Sequence, residues 1–188
     1  MIAKGLLGIL CIVAAAPLAA TEQNFVVNGD FDTDLSGWQQ STLPLPTWAA
    51  LDYRGDGNSG SALIENDSAD AGIRLYPLTL CITPPAGTYV LSVRGYIASG
   101  QTGGRLVLSY AIYNGANCTG NGGGSGGQFL TLIGAWQLQT ASVRQVGLAT
   151  SVEISLGIEK DAAGGSLQGY FDAVIFSDHL FADGFEGQ

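Results

Sequence analysis

Between Val152 and Lys160 the chain alternates with little interruption: Val152, Ile154, Leu156 and Ile158 are separated by Glu153, Ser155 and Gly157, and Glu159 follows. A period of two is the spacing of a strand with one buried and one solvated face, whereas a helix needs apolar residues every three or four positions. The pattern recurs over 88–97, where Tyr89, Leu91, Val93 and Ile97 oppose Thr88, Ser92 and Arg94. It recurs again over 105–113, with Leu106, Leu108, Tyr110 and Ile112 on one face. Apolar runs at 48–53, 61–65, 73–82, 129–138 and 169–177 complete a set of eight or nine strands, with Pro77 marking an edge or a bulge. Turn-forming clusters separate them at intervals of roughly 8 to 15 residues, close to the spacing of an all-β domain. The 28 glycines and the 12% charged residues argue against a helical bundle, which needs charged helix formers on its faces. The expected fold is all-β, a two-sheet antiparallel sandwich with one solvated and one buried face per sheet.

The ends are expected to stand outside it. Lys4, the apolar run 5–16 and the small residues Pro17–Ala20 have the layout of a secretory signal peptide over 1–20. The domain then covers 21–177 and a tail covers 178–188. This predicts a secreted, periplasmic or cell-surface protein with no membrane span beyond the signal peptide. With 16 acids against 7 bases the chain repels nucleic acid and anionic membranes. Once Cys11 leaves with the signal peptide, Cys81 and Cys118 remain, either as one disulfide or as two buried thiols. A disulfide between them would close a loop of about 38 residues and contribute about 4 kcal/mol.

The stretch Asn24–Trp38 joins a short apolar strand (25–27), an Asn28-Gly29 turn and an acidic loop carrying Asp30, Asp32 and Asp34. The spacing begins like a helix–loop–helix calcium loop. Leu35 then stands where glycine is needed and Ser41 where a bidentate Glu is needed, so that motif is rejected. A looser oxygen site survives, in which turn carboxylates and carbonyls are joined by Asp172 from the closing strand. The competing reading is that these acids cap turns and bind water. Trp38 reads as a core anchor.

The same stretch resembles the opening of the galactose-binding-like jelly rolls that include many carbohydrate-binding modules, with the pattern Asn-Gly-x-Phe-Glu-x-Gly-Leu-x-Gly-Trp. Here it runs from Asn28 to Trp38, with Asp32 in place of the Glu and Asp34 in place of the middle glycine. Further resemblances follow in order at 57–63, at Pro85-Ala-Gly-Thr-Tyr-Val-Leu-Ser92 and at Tyr170-Phe-Asp-Ala-Val174. The resemblance implies a jelly roll over about 24–177 and a structural calcium held by Asp32 and Asp172. It also implies a Cys81–Cys118 disulfide. The tail segment 181–186 resembles a short ending seen on exported proteins of some Gram-negative bacteria.

Sugar rings stack on exposed aromatic faces while Arg and amide groups bind their hydroxyls. Strand parity puts Tyr76 with Arg74, Tyr113 with Arg105 and Tyr96 beside Arg94 on outward faces, making these six the candidate ligand residues. Catalysis finds little material. The one histidine, His179, lies in the tail, and Glu153 and Glu159 read as solvent-facing. With the cysteines paired, no thiol nucleophile remains. The tract 120–127 contains Gly-x-Ser-x-Gly but has no strand before and helix after it, so it reads as a flexible loop. The expected function is a non-catalytic module that binds a glycan or surface polymer, or else a surface-structural domain without a sugar site.

Overall fold

The alternation closes into two five-stranded antiparallel sheets in the computed structural model, which describes residues 23–41, 44–101, 103–146 and 150–178, with backbone alone at 144–146. The first sheet runs, in spatial order, β1 (Gln39–Gln40), β4 (Arg74–Ile82), β9 (Ser151–Lys160), β6 (Gly104–Tyr113) and β7 (Gly122–Leu130). The second runs β2 (Thr47–Ala49), β3 (Ser61–Asn66), β10 (Leu167–Ser177), β5 (Gly87–Ile97) and β8 (Gln137–Val146). Among the described residues the only helical element is a 3-10 turn at Ala116–Cys118. Ten strands stand where eight or nine were expected. The expected signal peptide, His179 and the tail from 179 onward lie outside the described residues.

Every second residue of each central strand points between the sheets. Leu78, Leu106, Leu108, Ile154, Leu156 and Ile158 meet Ile64, Leu91, Val93, Phe171, Val174 and Phe176, all 1% exposed or less. Each such side chain contributes about 1.5–3 kcal/mol relative to leaving it in water. A bulge in β10 keeps this register. Asp172 pairs with Arg94 and Ile175 with Ser92, with Ala173 at φ 48° between them. The extra residue shifts the phase, so that Phe171, Val174 and Phe176 all reach the core.

The opening stretch 24–29 closes on β10 as a latch. Phe25 N–H donates to the Phe176 carbonyl at 2.9 Å, and Phe176 N–H donates to Asn24 Oδ1 at 3.0 Å. Val174 N–H donates to the Gly29 carbonyl at 2.9 Å. The residues 25–27 are thus tied to β10 but form no strand, which corrects the expectation there. Trp38 is core, 6% exposed, and its Nε1–H donates to the Asn28 carbonyl at 3.2 Å.

Two other expectations are corrected. The glycine tract is not a loop: Gly122–Gly127 form most of β7, pairing along β6 from Tyr113–Gly122 to Leu106–Leu130. Glycine carries no pattern, but backbone pairing at a sheet edge needs no side chain. The turn between these strands holds Asn117 and Cys118 at φ near 55°, and Cys118 is joined to Cys81 with Cα atoms 5.9 Å apart. The run 129–138 is two strand ends, since β7 stops at Leu130 and β8 starts at Gln137.

Candidate functional site

The outer face of the first sheet is organised in rows across the strands. One row is charged: Arg74 on β4 and Arg105 on β6 both pair with Glu159 on β9 between them. Glu159 is 7% exposed, so its expected place in solvent is corrected. Parity put it on the outer face correctly, but two guanidiniums close over it. Burial pushes its carboxyl up, and the hydrogen bonds and charges of Arg74 and Arg105 more than offset this, holding it below the usual range.

The next row supplies the aromatics. Tyr76 sits in the register shift between Leu75 and Leu78, with its ring beside Gly157, which pairs with Val107, which pairs with Phe129 on β7. A β-carbon on Gly157 would fall 2.6 Å from Tyr76 Cδ1, so the glycine is what lets the ring settle against β9. Phe129 remains 42% exposed at the sheet edge. The guanidinium centres of Arg105 and Arg74 stand 4.1 and 5.2 Å from its ring centroid, a cation–π arrangement fixed by Glu159 below. Beyond it lies a hydroxyl row with Ser155, Ser109 and Gly127. Arg74, Tyr76, Val107, Ser109, Ser125, Gln128 and Phe129 together line an open cleft of about 240 Å³.

The expected ligand residues therefore divide. Arg74 and Tyr76 line the cleft, and Arg105 reaches it through Phe129. Tyr113 shares their face but sits eight residues along β6 from Arg105, about 26 Å away at strand rise, and is not part of the cleft. Arg94 and Tyr96 lie on β5, in the other sheet. There Tyr170 on β10 pairs directly with Tyr96, with ring centroids 5.8 Å apart, and Trp136 stands 5.4 Å from Tyr96 on the other side. Tyr53 adds a fourth ring 6.5 Å from Trp136, under the guanidinium of Arg94 at 5.2 Å. Phe129, Trp136 and Tyr170 escaped sequence reasoning. The alternation near 129–136 is irregular, and the outward position of Tyr170 is masked by the apolar residues around it.

The acids of the opening loop gather at one end of this second face. Asp30, Asp32, Asp52, Tyr53, Arg54, Asp56 and Ser59 line a recess of about 200 Å³. Asp32 accepts from Ser59 Oγ at 2.9 Å. Asp172 is 1% exposed, and its two oxygens accept the N–H groups of Tyr53 at 3.1 Å and Ala173 at 2.6 Å. Burial pushes its carboxyl up to about 7 against those two bonds, with Asp52 and Asp30 adding to the rise. Asp30 is raised by burial, helped by Asp32 and Asp52 and opposed by Arg54. Among the described residues no three His, Cys, Asp or Glu side chains converge to the spacing a metal ion needs.

Among the described residues the glutamates stand far apart. Glu65 lies on β3 and Glu153 on β9, in opposite sheets. Glu153 and Glu159 are six residues apart on one strand, about 20 Å, well beyond the reach of two glycosidase carboxyls.

No protein-family model and no curated protein matches this chain. Solved structures do. The enzymatically active domain of bacteriophage CBA120 tailspike protein 4 aligns with a TM-score of 0.59 at 17% identity, over 81% of this chain and 21% of that one. A family 61 carbohydrate-binding module in complex with β-1,4-galactotriose aligns at 0.56 and 16% identity, over 82% of this chain and 97% of that one. The CBM22-1 xylan-binding domain of Paenibacillus barcinonensis Xyn10C aligns at 0.55 and 14% identity, over 85% of this chain and 95% of that one. The chain thus spans about a fifth of the tailspike protein and nearly all of each module. The shared feature is the jelly-roll fold.

Proposed function

We propose that this domain is an exported, non-catalytic module that binds a carbohydrate in the cleft on the outer face of the first sheet. The observation that carries the reading is Phe129, exposed at the cleft edge and steadied by two arginines that a single buried glutamate fixes in place. A fixed ring costs little entropy when a sugar stacks on it. Tyr76 supplies a second ring, and Ser109, Ser125, Gln128 and Arg74 supply polar groups for hydroxyls. Two of the aligned structures support the reading by their own ligands, galactotriose and xylan. Export rests on the leader-like start at Lys4 and on the Cys81–Cys118 disulfide. Among the described residues no helix is long and apolar enough to cross a membrane.

A structural calcium belongs to the same reading. Its support is charge: Asp172 is buried beside Asp30 and Asp52, and a hard dication would hold it ionised. Asp172 with Asp30 or Asp52, completed by backbone oxygens, would hold the ion better than Asp32, which is engaged with Ser59.

Titration calorimetry of the wild type and of Tyr76→Ala/Phe129→Ala with galactotriose, xylotetraose and cellotetraose tests the cleft. Binding by the wild type that the double variant loses supports it. A wild type that binds nothing on a glycan array, with or without calcium, returns the domain to the surface-structural reading.

A further inference from the structure

The outer face of the second sheet carries an aromatic row that the cleft does not use. Across adjacent strands it runs from Leu63 on β3 through Tyr170 on β10 and Tyr96 on β5 to Trp136, the residue just before β8. The three rings stand 5.8 and 5.4 Å apart, tilted by 52° and 35°, so they form a gently twisted strip rather than a stack. All three are half-buried, with solvent on one side. Trp136 is placed there by a folded loop. Gly134 N–H donates to the Ile97 carbonyl at 2.7 Å, and the N–H groups of Thr131 and Leu132 donate to Gln137 Oε1 at 3.2 and 3.1 Å.

The polar tips of these rings set them apart from the tied tips of four other aromatics, of which Trp38 is buried and Trp48 exposed. Trp38 Nε1–H and Trp48 Nε1–H donate to carbonyls, as do the hydroxyls of Tyr89 and Tyr110. Among the described residues the Tyr96 and Tyr170 hydroxyls and Trp136 Nε1–H have no hydrogen-bond partner. A cross-strand aromatic pair alone would steady the sheet. A row three rings long, its polar tips unpartnered among the described residues and its rings spaced by about one sugar ring, has the form that stacking on a saccharide needs.

We propose that this row is a second carbohydrate-binding surface, on the opposite sheet from the cleft, so that one domain bridges two polysaccharide chains. The ligand is a neutral glycan. The recess of Asp30, Asp32, Asp52 and Asp56 at the Tyr53 end repels acidic polymers. The C–H faces of successive sugar rings rest on Tyr170, Tyr96 and Trp136, while Tyr and Trp tips meet the ring hydroxyls. The inference goes beyond the cleft and stands without it.

The test follows the three indole N–H signals of the nitrogen-15-labelled protein, together with the backbone amides of Gln128 and Phe129, during titration with galactotriose, xylotetraose and cellotetraose. Trp38 and Trp48 are tied to carbonyls, so Trp136 is the indole expected to move. It should move in the wild type and in the Tyr76→Ala/Phe129→Ala variant alike, and Tyr96→Ala should weaken its response at least tenfold. Unchanged melting of Tyr96→Ala confirms that it folds. Movement at Trp136 without movement at Gln128 and Phe129 supports the row and overturns the cleft. Movement at Gln128 and Phe129 alone overturns the row and leaves the cleft. If no saccharide moves either set, both readings fall.

Discussion

The carbonyl oxygen of Val174 lies 2.1 Å from where a β-carbon on Gly29 would stand, while Val174 N–H donates to the Gly29 carbonyl at 2.9 Å. The opening turn and the β10 bulge thus approach to backbone contact, at the point where 25–31 and the closing strand share the core residues Phe31 and Phe176.

Gly29→Ala should therefore destabilise the fold by about 1–3 kcal/mol, because the obstacle is backbone and has no rotamer to yield. Denaturant unfolding measures this. A control change at Gly55, which has open space around it but φ 75°, should cost less. Equal costs would mean that the latch does not close as described.

A second prediction concerns Glu159. Its folded-state pKa is lowered, so the stability it contributes is fully present above its unfolded value and is lost as pH falls through the folded one. The arginines are about a third exposed, which limits the contribution to roughly 1–2 kcal/mol. Melting curves of wild type and Glu159→Gln should differ by a constant amount from pH 7 to about 5, and the gap should close only as pH falls through the lowered folded-state value. Because the variant releases both guanidiniums from under Phe129, it should also bind saccharide more weakly at pH 7. A gap independent of pH would assign Glu159 a packing role only.

How far such relationships can be read from sequence depends on whether side-chain pattern carries them. The strands around Ile154 and Leu91 announce themselves because apolar residues alternate, and the tie between the opening stretch and β10 follows from a recognisable turn and closing strand. β7 is silent, since six of its nine residues bear no apolar pattern and its place is set by pairing with β6. Parity also locates a face without saying what covers it. Glu159 and Tyr113 both fall outward as expected, yet one is sealed by arginines and the other is stranded far from the cleft. Sheet membership is equally invisible: Arg74–Tyr76 and Arg94–Tyr96 look alike in sequence and lie on opposite sides of the sandwich.

Lys160 yields a third prediction. It is fully buried, and its ammonium donates to the carbonyls of Ser68, Gly164 and Gly165, the last two at 3.2 and 2.9 Å. This staples the loop after β3 to the loop after β9. Lys160→Met keeps the length but leaves three carbonyls unsatisfied, and should cost roughly 2–4 kcal/mol. Amide exchange near Ala69 and Gly164, which share a backbone bond at 2.9 Å, should speed up more than exchange in the core strands. Uniform acceleration would mean global rather than local loosening.

The calcium reading makes the last prediction. Without a cation, holding Asp172 ionised beside Asp52 and Asp30 is unfavourable, as its rise to about 7 indicates. A dication there changes the sign of that arrangement, because the same three charges then become attractive to the bound ion. Binding only the folded state, it stabilises by about 2.7 kcal/mol when present at a hundred times its dissociation constant. The wild type should therefore melt at a higher temperature with calcium than with chelator. Asp172→Asn removes a ligand charge while keeping an oxygen for one backbone N–H, and should melt at the same temperature in both. Asp32→Asn should retain the calcium response, since Asp32 is occupied by Ser59. A wild type whose melting is blind to chelator would make Asp172 an ordinary buried acid bonded to Tyr53 and Ala173, and the latch would then be held without a metal, by its backbone bonds and those of Asn24.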